Sequence, residues 1–173
     1  MTRARILLVV LLALVGAGLV VAVVRVGAAP SAVRGRATAA VPTDLPAAEV
    51  LRSWDAQRAA AYAAGSVPML RDLYVTGSRA GRSDVRLLRR WTGRGLRVEG
   101  MRTQVLAVQV LTRGHDRLVL RVTDRLAAGE AVGRAGRTPL PRDRADTRLL
   151  TLDRGSDGVW RMGEVRPAGR AVR

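Results

Sequence analysis

Hydrophobic and polar positions divide the chain into three patterns: one apolar run, a set of helical stripes, and a set of alternating strands. The run, Ile6 to Val24, lies between Arg5 and Arg25. As a helix it spans about 28 Å, close to a bilayer hydrocarbon core of roughly 30 Å. It predicts one transmembrane helix over residues 6–24 behind a short tail, residues 1–5. A secretory signal carries a shorter apolar region of about 7–15 residues, so an uncleaved anchor is favoured over removal within VGAAPSA, residues 26–32. Arg3, Arg5 and the terminal amine argue for an inside N-terminus, while Arg25, Arg34 and Arg36 argue the reverse. Long downstream domains cross largely regardless of charge. The expectation is therefore a single-pass protein of the plasma membrane with an extracytoplasmic domain.

Residues 25–43 form a basic linker rich in Ala, Gly and Pro. Helical periodicity begins after it. Thr43 and Asp44 followed by Pro46 form a helix start signal. Val50, Leu51, Trp54, Ala61 and Tyr62 recur at helical spacing, interrupted by Arg58. The expectation for Arg58 is an aliphatic stem along the apolar face with its charged head in water. Gly65 suits a left-handed C-terminal cap, and Ser66 with Pro68 starts a second helix. A loop, VTGSRAG, follows. Ser83 and Asp84 then cap a third helix carrying Val85, Leu88 and Trp91.

The period next falls to two. LRVEGMRTQVLAVQVL and RLVLRVTDRL alternate on either side of the turn TRGHD. A long loop, AAGEAVGRAGRTPLPRDRAD, precedes a second hairpin, TRLLTL and GVWRMGEV. Helices first and antiparallel strands after predict an α+β domain over residues 44–167, with about three helices on one sheet face and a tail at 168–173.

Composition sharpens this picture. The chain has 173 residues, no cysteine and a net charge of +16, with arginine as its only fixed cation. The absence of cysteine excludes a disulfide framework and thiolate chemistry. Arginine in place of lysine reads as coding from a GC-rich, actinobacterial type of genome. The first 43 residues hold five arginines and no acid. Those five are well placed to meet anionic lipids or acidic envelope partners, at about 1 kcal/mol for each one held near the surface.

The element order resembles the nuclear transport factor 2-like superfamily, which includes SnoaL-like proteins. Trp54, AYAAGSVPMLRDLYVTGS, SDVRLLRRW and the strands after GLRVEGM carry the resemblance, over roughly residues 45–167. It implies a cone-shaped, strongly curved antiparallel sheet wrapped on helices, often around a pocket. That superfamily holds isomerases, dehydratases and cyclases beside non-catalytic interaction domains. An anchor before such a domain is similar to accessory proteins of actinobacterial envelopes and to scaffold subunits of type IV secretion systems.

Candidate chemistry follows from strand pairing. Pairing about the first turn sets Val110 against Leu118, Val108 against Leu120, Leu106 against Val122 and Gln104 against Asp124. The second hairpin sets Leu152 against Trp160, Leu150 against Met162 and Arg148 against Glu164. Arg102, Gln104, Asp124, Arg148 and Glu164 then gather near the mouth of the cone, where a buried Asp124 or Glu164 would suit general acid–base work. The competing expectation is a solvated rim of weak pairs, about 0–1 kcal/mol each.

Other signals are weak. His115, the only histidine, sits in a turn, which argues against a zinc site. Asp153, Asp157, Gly158 and Glu164 partly match a calcium loop, but the flanks read as strands and Gly155 stands where a carboxylate belongs. Gly16 to Gly18 lies inside the apolar run, and no P-loop or G-x-S-x-G motif occurs, so no cofactor is implied. The arginines lack the aromatic interleaving of single-strand binders, which disfavours nucleic acid. Trp54, Tyr62, Tyr74, Trp91 and Trp160 are assigned to the core. Two functions remain: a membrane-anchored, non-catalytic accessory or scaffold protein with an envelope protein partner, or a small-molecule binder or acid–base enzyme using the cone pocket. Oligomeric state is open.

Overall fold

The computed structural model describes residues 46–168. The expected tail, anchor and linker, the Thr43–Asp44 start signal and residues 169–173 lie outside the described residues. Among the described residues no helix is long and apolar enough to cross a membrane.

Three helices precede five strands. They are α1 (Ala47–Ala64), α2 (Val67–Asp72), α3 (Arg79–Thr92), β1 (Arg97–Arg113), β2 (Arg117–Gly133), β3 (Gly136–Pro139), β4 (Asp146–Arg154) and β5 (Trp160–Pro167). The sheet is antiparallel, in the order β1-β2-β4-β5, with β3 pairing the far end of β2. Four register irregularities along β1 and one between β4 and β5 bend the sheet around the helices, because each bulge raises the local twist. The α+β class and the curved sheet on three helices agree with the sequence expectation.

The break after α1 is set by backbone geometry. Gly65 adopts φ 65°, and Ser66 N–H bonds the Ala61 carbonyl while Gly65 N–H bonds that of Tyr62. These are the two bonds of a Schellman cap. The Ser66 side chain then accepts from Met69 N–H to open α2.

Several sequence expectations require correction. The third helix begins at Arg79, with Ser78 as its cap, so VTGSRAG is partly helical and Ser83 and Asp84 lie inside the helix. Ser78 Oγ accepts from Gly81 N–H and donates to the Gly163 carbonyl, 2.8 Å away, so the cap also ties α3 to β5. Gly81 is required there: a Cβ would lie 2.7 Å from the Tyr74 side chain.

The stretch expected as one long loop mostly extends β2 and forms β3, whose pairing runs from Glu130 with Pro139 to Gly133 with Gly136. The pairings also differ, because the turns are tighter than expected: Arg113 pairs with Leu118 and Arg154 with Trp160, and bulges then step the register. Val110 faces Leu120, Val108 faces Val122, and Asp124 faces Val105 rather than Gln104. In the second hairpin Leu152 faces Met162, Leu150 faces Val165 and Arg148 faces Pro167. The expected pairing placed both turns too wide, and each bulge adds a further one-residue step.

The core joins Val50, Leu51, Trp54, Leu70, Leu88, Trp91, Leu120, Val122, Leu152 and Met162. Trp54 and Tyr74 meet edge to face at 5.5 Å, and Trp54 Nε1 donates to the Leu73 carbonyl. Trp160 is only partly buried and lies against this core. The open edge of β5 is met at Met162 by the 73–75 segment, where Val75 N–H bonds the Met162 carbonyl and Met162 N–H bonds that of Leu73.

Candidate functional site

Two buried ion pairs stand where helices meet sheet. The first corrects the expectation for Arg58, which is only 2 % exposed and does not reach water. Its Nε and Nη2 donate to the two carboxylate oxygens of Asp84 at 2.6 and 2.5 Å. Tyr62 and Tyr74 donate their hydroxyls to the same carboxylate at 2.7 and 2.8 Å. The guanidinium also sits over the Tyr62 ring, 4.8 Å from its centroid. Burial alone would raise the Asp84 carboxyl, but Arg58 and the tyrosine hydroxyls hold it below the usual carboxylate value. Burial pushes both tyrosines well above their ordinary range, so they stay protonated donors. Each oxygen of the Asp84 carboxylate thus has two donors, which satisfies the buried charge.

The second pair joins neighbouring strands. Arg148 Nη2 donates to both oxygens of Asp124, at 2.6 and 2.5 Å. Asp124 is 2 % exposed and Arg148 9 %. Burial pushes the Asp124 carboxyl above its ordinary value, and the Arg148 charge and hydrogen bonds oppose that rise. Among the described residues Arg148 Nε has no hydrogen-bond partner, although it is buried. An unsatisfied buried donor costs about 1–3 kcal/mol, and more when charged.

Both pairs border one cleft of about 660 Å3 between α1, α3 and the sheet. Leu51 and Trp54 from α1, Leu87 from α3, Leu150 from β4 and Val165 from β5 supply apolar wall. Asp55, missed by the sequence analysis, also lines it. Burial pushes its carboxyl up to about 7. Arg58, Arg148 and Thr103 pull the other way, while Asp124 adds to the rise. The sequence signal for Asp55 was its place one turn after Leu51 and one before Arg58, within the stripe that faces the sheet.

The other sequence candidates separate. Glu164 lines the cleft but is exposed and pairs with Arg166 at 3.2 Å. Arg102 is exposed on β1, and Gln104 accepts from Arg125 Nε at 2.5 Å. Neither is among the cleft's lining residues. Thus Asp124, Arg148 and Glu164 border one space while Arg102 and Gln104 lie apart from it.

His115 is exposed in the first hairpin turn. Asp153, Asp157 and Glu164 each face a different arginine, respectively Arg117, Arg161 and Arg166, so they do not converge as a calcium loop would. Among the described residues no group of three or more His, Cys, Asp or Glu converges as a metal site.

No family model matches the chain, and no curated protein does. Solved structures do match in fold. The intermembrane space region of the chloroplast protein ARC6 is 15% identical, with a TM-score of 0.51, covering 70% of this chain and 95% of that one. The shared feature is the fold, a curved antiparallel sheet wrapped on helices. Aln2 from a Streptomyces species is 16% identical at a TM-score of 0.47, covering 72% and 94%. A protein from Catenulispora acidiphila is 14% identical at 0.47, covering 69% and 88%. At these identities the likeness is one of fold alone.

Proposed function

We propose that this chain is a membrane-tethered accessory protein of the cell envelope whose cone domain binds a small molecule in the cleft. The tether rests on the apolar run at residues 6–24. The binding role is supported by one observation: the buried Asp124–Arg148 pair lines a cleft of ligand size with apolar walls. Asp124 neutralises Arg148, so this wall of the cleft suits a neutral ligand. Leu87, Leu150 and Val165 suit an apolar body.

Asp55 favours a second reading, acid–base catalysis in the same cleft. A carboxyl that titrates near neutrality gives and takes a proton at low cost. The two readings differ in turnover, not in occupancy.

The test is ligand-observed NMR on the full chain in nanodiscs, with a panel of small aromatic alcohols, ketones and amides. Leu87→Trp fills the cleft from a half-buried position on α3. The expected result is a set of binders that Leu87→Trp loses. An empty panel, or binders indifferent to Leu87→Trp, overturns the proposal. Proton exchange at a bound ketone's α-carbon, lost in Asp55→Asn, would establish the second reading.

A further inference from the structure

The opposite side of α3 carries a different surface. Arg82, Arg86 and Arg89 project from one helix face at successive turns, all exposed. Arg71 from α2 and Arg161 from β5 flank them around a groove of about 530 Å3 floored by Tyr74, Val75 and Val85. Asp72 is the only acid among its lining residues. Arg82 bonds the Gly77 carbonyl and Arg86 bonds Ser83 Oγ, so two of the three helical arginines are already oriented. Arg161 is held by Asp157 through two hydrogen bonds, at 2.9 and 2.6 Å. Like charges one turn apart destabilise a helix by about 0.2–0.5 kcal/mol per pair, and here no acid on α3 interleaves them on that face.

Charge eliminates two occupants. A second copy brings the same +16. The chain's own residues 1–45 carry five arginines against Asp44 alone, and residues 169–173 add only arginine charge. The occupant is therefore a foreign anion. The concave, partly apolar floor does not match a flat bilayer. Spacing narrows the choice further. Arginines three and four apart on a helix stand about 5–6 Å apart at Cβ. Alternate side chains on an extended peptide stand about 7 Å apart on one side. Flexible arginine stems bridge that difference, and each guanidinium fork matches a carboxylate.

We propose that this groove docks an extended acidic segment of a partner protein, with alternate Asp or Glu side chains meeting Arg82, Arg86 and Arg89 and the residues between them placing apolar groups on Val75 and Val85. This surface is separate from the cleft and does not depend on the cleft's being occupied.

Fluorescence anisotropy on the full chain in zwitterionic nanodiscs tests it with two probe peptides of one composition. One alternates glutamate with valine; the other carries its glutamates as a block. Two triple variants remove equal charge: Arg82→Gln, Arg86→Gln, Arg89→Gln on α3, and Arg113→Gln, Arg117→Gln, Arg121→Gln on the first hairpin. The expected result is at least about tenfold tighter binding of the alternating peptide. The α3 triple should lose that preference and the hairpin triple should keep it, with circular dichroism unchanged in both. All of these sites are exposed, so folding survives the changes. Equal binding of the two peptides, or equal loss in the two triples, overturns the proposal in favour of diffuse net charge. Co-sedimentation with phosphatidylglycerol vesicles that depends on the α3 triple, without binding of either peptide, overturns it in favour of a membrane-facing surface.

Discussion

Replacing Arg58 by methionine is expected to destabilise the domain by about 3–5 kcal/mol, the usual cost of stranding one partner of a buried ion pair. The stranded group is Asp84, which keeps its two tyrosine donors but loses two guanidinium bonds and its countercharge. A typical domain holds only about 5–15 kcal/mol in all, so much of the stability is at stake. Chemical denaturation followed by tryptophan fluorescence reads the change directly, because Trp54 lies beside the cluster. Adding Asp84→Leu to Arg58→Met should recover part of the loss, since removing both charges leaves only the Tyr74 hydroxyl short of an acceptor, Tyr62 keeping the residue-84 carbonyl. A loss below about 1 kcal/mol in the single variant would show that the pair is not buried as described.

Asp55→Asn is expected to do the opposite, and only at one end of the pH range. The folded carboxyl is raised from 3.8 to about 7, so the folded domain holds a proton that the unfolded chain releases. The associated stability is fully present below about pH 4, falls as pH rises toward 7, and is absent above that. The full shift corresponds to about 4 kcal/mol at 1.4 kcal/mol per unit, and partial exposure of Asp55 to the cleft discounts it to about 2 kcal/mol. The asparagine variant should therefore be more stable than the parent at pH 8 and equal to it at pH 4. Equal stability at both pH values would mean that Asp55 is ionised in the fold, and the acid–base reading of the cleft would fall with it.

What the sequence revealed depended on whether a feature was local. The Gly65–Ser66 junction was legible because its cap is completed within six residues, from Ala61 to Ser66. The strands were legible as a class because alternation survives bulges, but their pairings were not. The turn pairs Arg113 with Leu118, where the expected register had Val110, and two bulges then step the ladder to leave Asp124 opposite Val105. Asp124 and Arg148 were both recognised as candidates, yet their partnership crosses from β2 to β4 and was hidden by a hairpin-by-hairpin pairing. Arg58 and Asp84 were misjudged together. Each sits on the inward stripe of its own helix, and a charged residue there signals either a snorkelling stem or a distant partner. Reading both as inward would have paired them across 26 residues. Asp55 carried the same signal and was overlooked for the same reason.

The irregular register of β1 has a consequence for self-association. An exposed edge strand of 17 residues is a template for adding another chain's strand, and β1 also exposes Leu106, Val110 and Leu111. Its longest uninterrupted stretch of regular pairing runs only from Ala107 to Val110. An incoming strand would meet a ladder whose donors and acceptors change direction every few residues, while the opposite edge is bridged at Met162 by residues 73–75. The distortions that bend the sheet thus also keep it from growing, and they protect a chain with apolar residues on its rim from fibril-like stacking.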